Sequence, residues 1–374
     1  MEKHVFELAQ GLLQRGVNVE IICEDRSHLP DPEAPLADRI IGLPSDTLRS
    51  EGWVARYEEK SRRFAAMLDP DRYDVVHCHS HYGRDVALAL AGQARRPALV
   101  TTYHLTPLGL LERMRALDIP EPEGAPIDRA VAEMEGTAAR LSDRCIAVSR
   151  GVQREVMQFY GVPEDRVPVI YNWYDPQSFE RHTRESAREQ LDLDPDAPYL
   201  LYIGHFELHR GRLLAQAMRL LPPEITLLVV HPEADSAIED ELGDRVRFFG
   251  YQTPQGLALL YAAADLQCFP TIYSGFGLVL VEGMACGCPP IVFNHSAMNE
   301  IVTPDSGFLV DEPSADAYAR GVREALPRAA SKREGARQRA RAFRMEPQID
   351  RVLDLYCSLA DEGSDQLAHA GGRQ

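Results

Sequence analysis

The sequence predicts an α/β protein built from two doubly wound, Rossmann-like parallel-sheet domains that face a central cleft. Three observations carry this expectation. The chain has 374 residues, more than one ordinary core accommodates, so two domains are the natural prior. Short apolar runs alternate with helical spacings along most of the length, the pattern of parallel strands joined by crossover helices. The alternation breaks around residues 175–197, a polar stretch marked by Pro176, Pro195 and Pro198, which reads as a linker between two halves.

The elements follow in order. Val5, Leu8, Ala9 and Leu12 share one helical face and Gly16 stops that helix. A strand over Val17–Cys23 comes next. Further strands are predicted at Asp74–Cys78, Ala98–Tyr103, Arg144–Val148 and Val167–Tyr171 in the first half. The second half offers Tyr199–Ile203, Ile225–Val230, Val246–Phe249, Leu266–Phe269 and Pro290–Phe293. Helical patterns lie between most of them, among them Asp85–Ala91, Ala130–Leu141, Val152–Tyr160, Leu213–Leu221 and Leu278–Cys286. The domains are drawn at 1–175 and 176–345. Residues 361–374 are polar and Gly-rich and are expected to be disordered. The first element is a helix, whereas a Rossmann half normally opens with a strand.

Composition narrows the function classes. Hydrophobic residues make up 45% and charged residues 26%, as in ordinary globular chains. The net charge of -17 repels phosphate backbones, so no nucleic-acid partner is expected, and broad adhesion to anionic membranes is disfavoured. The seven cysteines sit in strand-like or helical runs, and Cys286 and Cys288 are too close for C-x-x-C ligation. They read as free thiols in a reducing cytosol, so the expected location is cytoplasmic. No apolar run approaches the roughly 18 residues that span a bilayer, and the first fifteen residues do not read as a signal peptide.

The densest chemical signal is Ser274-Gly275-Phe276-Gly277-Leu278 and the run to Glu282, which follows a strand and opens a helix. Gly275 and Gly277 let the backbone approach a ligand with no Cβ in the way. The N–H groups of the helix start suit a phosphate or sugar oxygen. Glu282 lies about two helical turns after Gly275, where a carboxylate can accept both hydroxyls of a ribose. The competing account is a Gly turn before a buried helix, with Glu282 solvated. A carboxylate inside so apolar a helix argues for a partner.

A second signal is Tyr202-Ile-Gly204-His205-Phe-Glu-Leu-His209-Arg210-Gly211. Again a strand ends and a helix begins. His205, His209 and Arg210 place donors beside the helix start, a site for a diphosphate; a basic loop offsetting nearby acid is the alternative. A third signal is His77, His79, His81 and His104, all at or just after first-half strands. His77 reads as a core residue. His79 and His81 fall at a strand's carboxyl end, where active sites gather, and are assigned to the acceptor side. His104, at the end of ALVTTY, is the better catalytic candidate, since a neutral imidazole there can donate to a substrate hydroxyl or phosphate. A metal held by these histidines is the minor alternative. Asp69-Pro-Asp71 and Asp194-Pro-Asp196 are Pro turns in polar loops. No metal and no cofactor is therefore expected. P-loop and nucleophile-elbow motifs do not occur.

At these motifs the chain resembles glycosyltransferase family 4, the retaining GT-B enzymes. GFGLVLVEGMACGCP is similar to the family's E-x7-E region, GHFELHRG to its donor-phosphate loop, and HVFELAQGLLQRGVNVEII to its first helix and second strand. FRMEPQIDRVLDLY resembles the terminal helix that crosses back onto the first domain, here assigned to residues 346–360. The resemblance runs from about residue 2 to residue 357. It implies that Glu282 binds the nucleotide ribose and that Gly275, Phe276 and Gly277 present N–H groups to the donor sugar. It also implies that His205 and Arg210 occupy the phosphate-binding positions, with Gly204 at the turn, that Tyr251 lies beside the base, and that His104 contacts the transferred sugar. Ser274 stands where the family has the first Glu of E-x7-E, and His205 where it has Arg. The family's first strand and Gly-rich loop would precede Met1.

The expected activity is metal-independent, retaining transfer of a hexose-type sugar from a UDP, GDP or ADP sugar to an acceptor hydroxyl. Catalysis would come largely from cations facing the departing diphosphate. A catalytically silent nucleotide-binding protein is the main alternative, favoured by Ser274 and His205. A sugar-nucleotide epimerase would share the fold, but no acids are paired for its chemistry.

Overall fold

The computed structural model of the protein describes residues 2–24, 36–43, 52–93, 95–204 and 210–371. The chain forms two compact units, Met1–Tyr171 with Glu346–Gln374, and Asn172–Met345. The first comprises α1 (Glu2–Gln14), β1 (Ile21–Cys23), β2 (Ile40–Gly42), α2 (Trp53–Met67), β3 (Val75–His79), α3 (Arg84–Ala91), β4 (Ala98–Tyr103), α4 (Pro107–Ala116), α5 (Ala125–Leu141), β5 (Arg144–Ala147) and α6 (Arg150–Tyr160). The second comprises α7 (Pro176–Phe179), α8 (Arg184–Gln190), β6 (Tyr199–Ile203), α9 (Gly211–Arg219), β7 (Thr226–Val230), α10 (Ser236–Leu242), β8 (Val246–Phe249), α11 (Pro254–Ala263), β9 (Leu266–Phe269), α12 (Leu278–Ala285), β10 (Pro290–Phe293), α13 (Met298–Ile301), β11 (Phe308–Val310), α14 (Ala315–Ala325) and α15 (Ala329–Ala340). α16 (Met345–Gly371) closes the chain.

In the first unit β3, β4 and β5 form a parallel ladder in that order, and β1 pairs with β2 in a separate parallel ladder. The apolar face of α3 packs with Leu99 of β4, backed by Phe64 of α2. Helix starts are fixed by side-chain caps: Thr106 accepts from Gly109 N and Ser149 from Val152 N, both at 3.1 Å. Such caps each contribute about 1 kcal/mol. A carboxyl group lies deep in this unit. Glu135 of α5 is 2% exposed, accepts the Tyr160 hydroxyl, and is pushed up to about 8 by burial. α16 packs on this unit: Arg15 pairs with Asp350 at 2.6 Å, Tyr356 meets His77, and Arg351 donates to Val169 O.

The second unit holds one six-stranded parallel sheet of order β11-β10-β9-β6-β7-β8. Sequence order runs outward from β6 to β8 on one side and from β9 to β11 on the other, so the connection reverses between β6 and β9. The stretch read as a linker is held by Arg188 of α8, which is 1% exposed. Its guanidinium donates to Ala263 O at 2.9 Å, to Pro195 O and Ala197 O at 2.8 Å, and to Asp265 at 2.9 Å. The residues 184–197 are thus tied to the end of α11 and the entry to β9.

Several sequence expectations are corrected. Val167–Tyr171 makes only an isolated bridge from Val169 to Ala147, because Pro168 has no N–H to extend a ladder. The strand expected over Val17–Cys23 forms only at its last three residues. β2 and β11 went unread, being three residues each, too short to show alternation. α16 is drawn as far as Gly371, and residues 372–374 of the tail lie outside the described residues.

Candidate active site

In the second unit the site is built where the strand order reverses. All six strands are parallel, so their carboxyl ends share one edge, and ligands of doubly wound sheets bind outside that edge at the reversal. The turn after β6 carries Gly204, and Arg210 sits at the N-cap of α9. The turn after β9 carries Ser274 to Gly277, and Gly277 is the N-cap of α12. The two motifs singled out in the sequence thus flank the β6/β9 reversal.

Gly277 has φ +86°, a left-handed conformation that glycine adopts without cost. A Cβ there would also press on Leu280 at 3.0 Å. Phe276 sends its ring into the core, edge-on to Phe343 with centroids 5.4 Å apart, so only its backbone can face a ligand. Gly275 is buried, whereas Ser274 and Leu278 are partly exposed. Gln267 of β9 anchors the helix by donating to Val279 O at 2.9 Å.

Glu282 of α12 is 4% exposed, and the Tyr261 hydroxyl donates to its Oε2 at 3.3 Å. A carboxylate so deep requires donors, and the Tyr261 hydroxyl is one of them. Arg210 takes φ +57°, a strained conformation for a residue with a side chain, and donates to Pro313 O at 3.5 Å. Burial lowers its pKa from the ordinary value, yet a guanidinium starts so high that it stays charged. Tyr251 follows β8 and is 88% exposed, leaving its ring face uncovered by the protein. His205, with His209, lies outside the described residues.

The sequence reading passed over two residues here. Tyr261 sits in α11, far from any motif, and reaches Glu282 only through packing. His295 follows β10 and its Nε2 donates to Thr271 O at 2.6 Å, bracing the turn that leads to Ser274. Its place just beyond a strand's carboxyl end was the available signal.

The first unit gathers imidazoles at its own strand ends. His79 ends β3 and His104 follows β4. Their rings are stacked, with His79 Nδ1 3.1 Å from His104 Nε2. His77 stacks on His79 at 4.7 Å, bonds Thr102 Oγ1 through Nε2 at 2.7 Å, and meets the Tyr356 hydroxyl through Nδ1. His4 of α1, which no motif flagged, meets His104 edge-on at 4.9 Å. Burial lowers all four: His79 to about 3, and His4, His77 and His104 well below the ordinary imidazole value. The rings are therefore neutral at physiological pH. His81 turns the other way, its ring 4.6 Å from Tyr57 and 4.2 Å from Tyr82, and is not part of the stack. Ligand nitrogens of His4, His79 and His104 lie within 4.8 Å of one another, the spacing of a potential metal cluster. A concavity of about 420 Å³ at the opposite end of this sheet is lined by Arg96, Arg140, Asp143, Arg144 and Arg166. Arg96 and Asp143 there form a bidentate pair that accounts for both charges.

Comparison with known proteins follows the same division. Residues 1–178 match the model of Glycosyltransferase Family 4, and residues 183–343 match that of Glycosyl transferases group 1. An uncharacterized glycosyltransferase of Methanocaldococcus jannaschii is 28% identical over 338 residues, covering 86% of this chain and 84% of that protein. A D-inositol 3-phosphate glycosyltransferase of Xylanimonas cellulosilytica is 29% identical over 385 residues, covering 95% and 91%. Among solved structures, sucrose-phosphate synthase from Thermosynechococcus elongatus superposes with a TM-score of 0.81 at 24% identity, covering 95% of this chain and 92% of that one. Anabaena HepE in complex with UDP-glucose superposes with a TM-score of 0.65 at 20% identity, covering 90% and 100%. With the two family models matched in succession along a GT-B fold, the chain is a glycosyltransferase of the family 4 type.

Proposed function

We propose that this enzyme transfers a hexose-type sugar from a nucleoside diphosphate sugar to an acceptor hydroxyl, with retention of anomeric configuration and without a metal on the diphosphate. The observation that carries the reading is the pairing of the Gly204–Arg210 and Ser274–Glu282 motifs across the β6/β9 reversal of the second unit. Support also comes from the relatives: HepE is described with UDP and with UDP-glucose, and several curated relatives are named as glycosyltransferases of inositol phosphate.

In this reading Glu282 accepts the two ribose hydroxyls and the backbone of Gly275 to Gly277 faces the donor sugar. Arg210, with His205, faces the diphosphate, and Tyr251 lies against the base. As the glycosidic bond to the diphosphate breaks, negative charge grows on the leaving phosphate, and a fixed cation there stabilises the transition state more than the bound donor. An oxygen of the leaving phosphate takes the proton of the acceptor hydroxyl. His104, held neutral by burial, hydrogen-bonds the transferred sugar without adding a charge that would oppose its cationic character.

The test is thermal unfolding against UDP, GDP, ADP and their sugar conjugates, with and without Mg²⁺. A ligand at about 100 times its Kd adds about 2.7 kcal/mol, a shift of a few degrees in a protein of this size. One nucleotide should give that shift equally with and without Mg²⁺. Glu282→Ala removes two charge-assisted hydrogen bonds of about 1.5 kcal/mol each, so its Kd should rise about 100-fold. Equal binding by that variant would remove Glu282 from the ribose, and a Mg²⁺-dependent shift would reject the metal-free reading.

A further inference from the structure

The stack in the first unit holds more histidine than the transfer reaction uses. His4 comes from the first turn of α1, His79 ends β3, and His104 follows β4. Three separate elements therefore converge their ligand nitrogens within 4.8 Å of one another. A tetrahedral ion with Zn–N bonds of about 2.0–2.1 Å spaces its nitrogens about 3.4 Å apart. His79 and His104 already stand at 3.1 Å. The remaining separations are at most 4.8 Å. His77 backs the group, stacked on His79 and fixed at both nitrogens by Thr102 and Tyr356. Three imidazoles form a ligand set that favours zinc, copper or nickel over magnesium or calcium, which take oxygen ligands.

We propose that His4, His79 and His104 bind one divalent transition ion of the zinc class, and that its binding withdraws His104 from the substrate and inhibits transfer. The inhibitory half rests on the role given to His104 above, whereas the binding half does not.

The experiment titrates Zn²⁺ alone into the full chain by calorimetry, on a Cys357→Ser background because Cys357 is an exposed thiol that competes for the metal. The expected result is one site per chain, lost in His4→Gln and in His79→Gln and retained in His231→Gln, whose ring lies in the other unit. Mg²⁺ should give no heat. Co²⁺ on the parent protein should show the intense visible bands of a four-coordinate ion with nitrogen ligands. That spectrum stands even where a variant fails to fold, and an octahedral spectrum would overturn the site. Unchanged stoichiometry in both His4→Gln and His79→Gln would overturn it as well. Transfer assayed with and without Zn²⁺ should show an inhibition constant at least ten-fold higher in His4→Gln than in the parent. Equal constants would sever the ion from His104. Zinc binding with no transfer by any donor would sink the proposed function and leave the site. A nucleotide shift with no zinc binding would do the reverse.

Discussion

Replacing Glu135 by Gln tests how the first unit tolerates a carboxyl in its core. Glu135 is 2% exposed, and its carboxyl is raised from 4.5 to about 8 by burial, against a lowering by the Tyr160 hydroxyl. The native state therefore keeps the proton that the unfolded chain releases above pH 4.5. Stability from this group is full below that value, falls as pH rises towards 8, and is flat beyond. Each pH unit inside the window is worth about 1.4 kcal/mol, so the span from pH 5 to pH 8 should cost about 3.5 kcal/mol. Gln keeps the shape and still accepts from Tyr160 but has no proton to lose. Denaturant unfolding of the parent and Glu135→Gln at pH 5, 6.5 and 8 gives the difference directly, with the common effects of other groups cancelling. The advantage of the Gln variant should grow by about 3.5 kcal/mol across that range. A difference that does not change with pH would refute the argument, since it would mean that Glu135 ionises in the folded protein as it does in the unfolded chain.

The remaining predictions follow from single side chains. His104→Ala should lower kcat at least ten-fold while leaving nucleotide affinity within about two-fold; equal kcat would remove His104 from the reaction. Arg188→Met should destabilise the second unit by about 3–5 kcal/mol, because Asp265 and four backbone oxygens lose a buried donor, and a loss under about 1 kcal/mol by denaturation would contradict the buried tie. Gly283→Ala places a Cβ 2.2 Å from Gln267 Oε1 and 3.0 Å from Tyr261 Cδ1. It should cost about 1–3 kcal/mol in thermal unfolding and weaken donor binding through the displaced Tyr261–Glu282 contact, and an unchanged Tm would show that α12 has room to move.

What the sequence alone determined was local and periodic. Strand spans such as Ala98–Tyr103, Tyr199–Ile203 and Pro290–Phe293 were legible because a buried strand between helices is a short run of apolar and β-branched residues, and the structure reproduces them residue for residue. The Gly204–Arg210 and Ser274–Glu282 motifs were legible because a turn into a helix start leaves a glycine signature wherever it occurs. The tertiary structure decided everything that depends on which elements become neighbours. No spacing in the sequence joins Tyr261 to Glu282, 21 residues apart, or Arg188 to Ala263, 75 apart; only packing of α11 against its neighbours does. His4 carried no motif at all, and it joins His79 and His104 because α1 lies beside the carboxyl ends of β3 and β4. Periodicity fixes which face of an element is buried, but the partner of that face is chosen by the whole chain's collapse, so contacts across long sequence separations are written only in three dimensions.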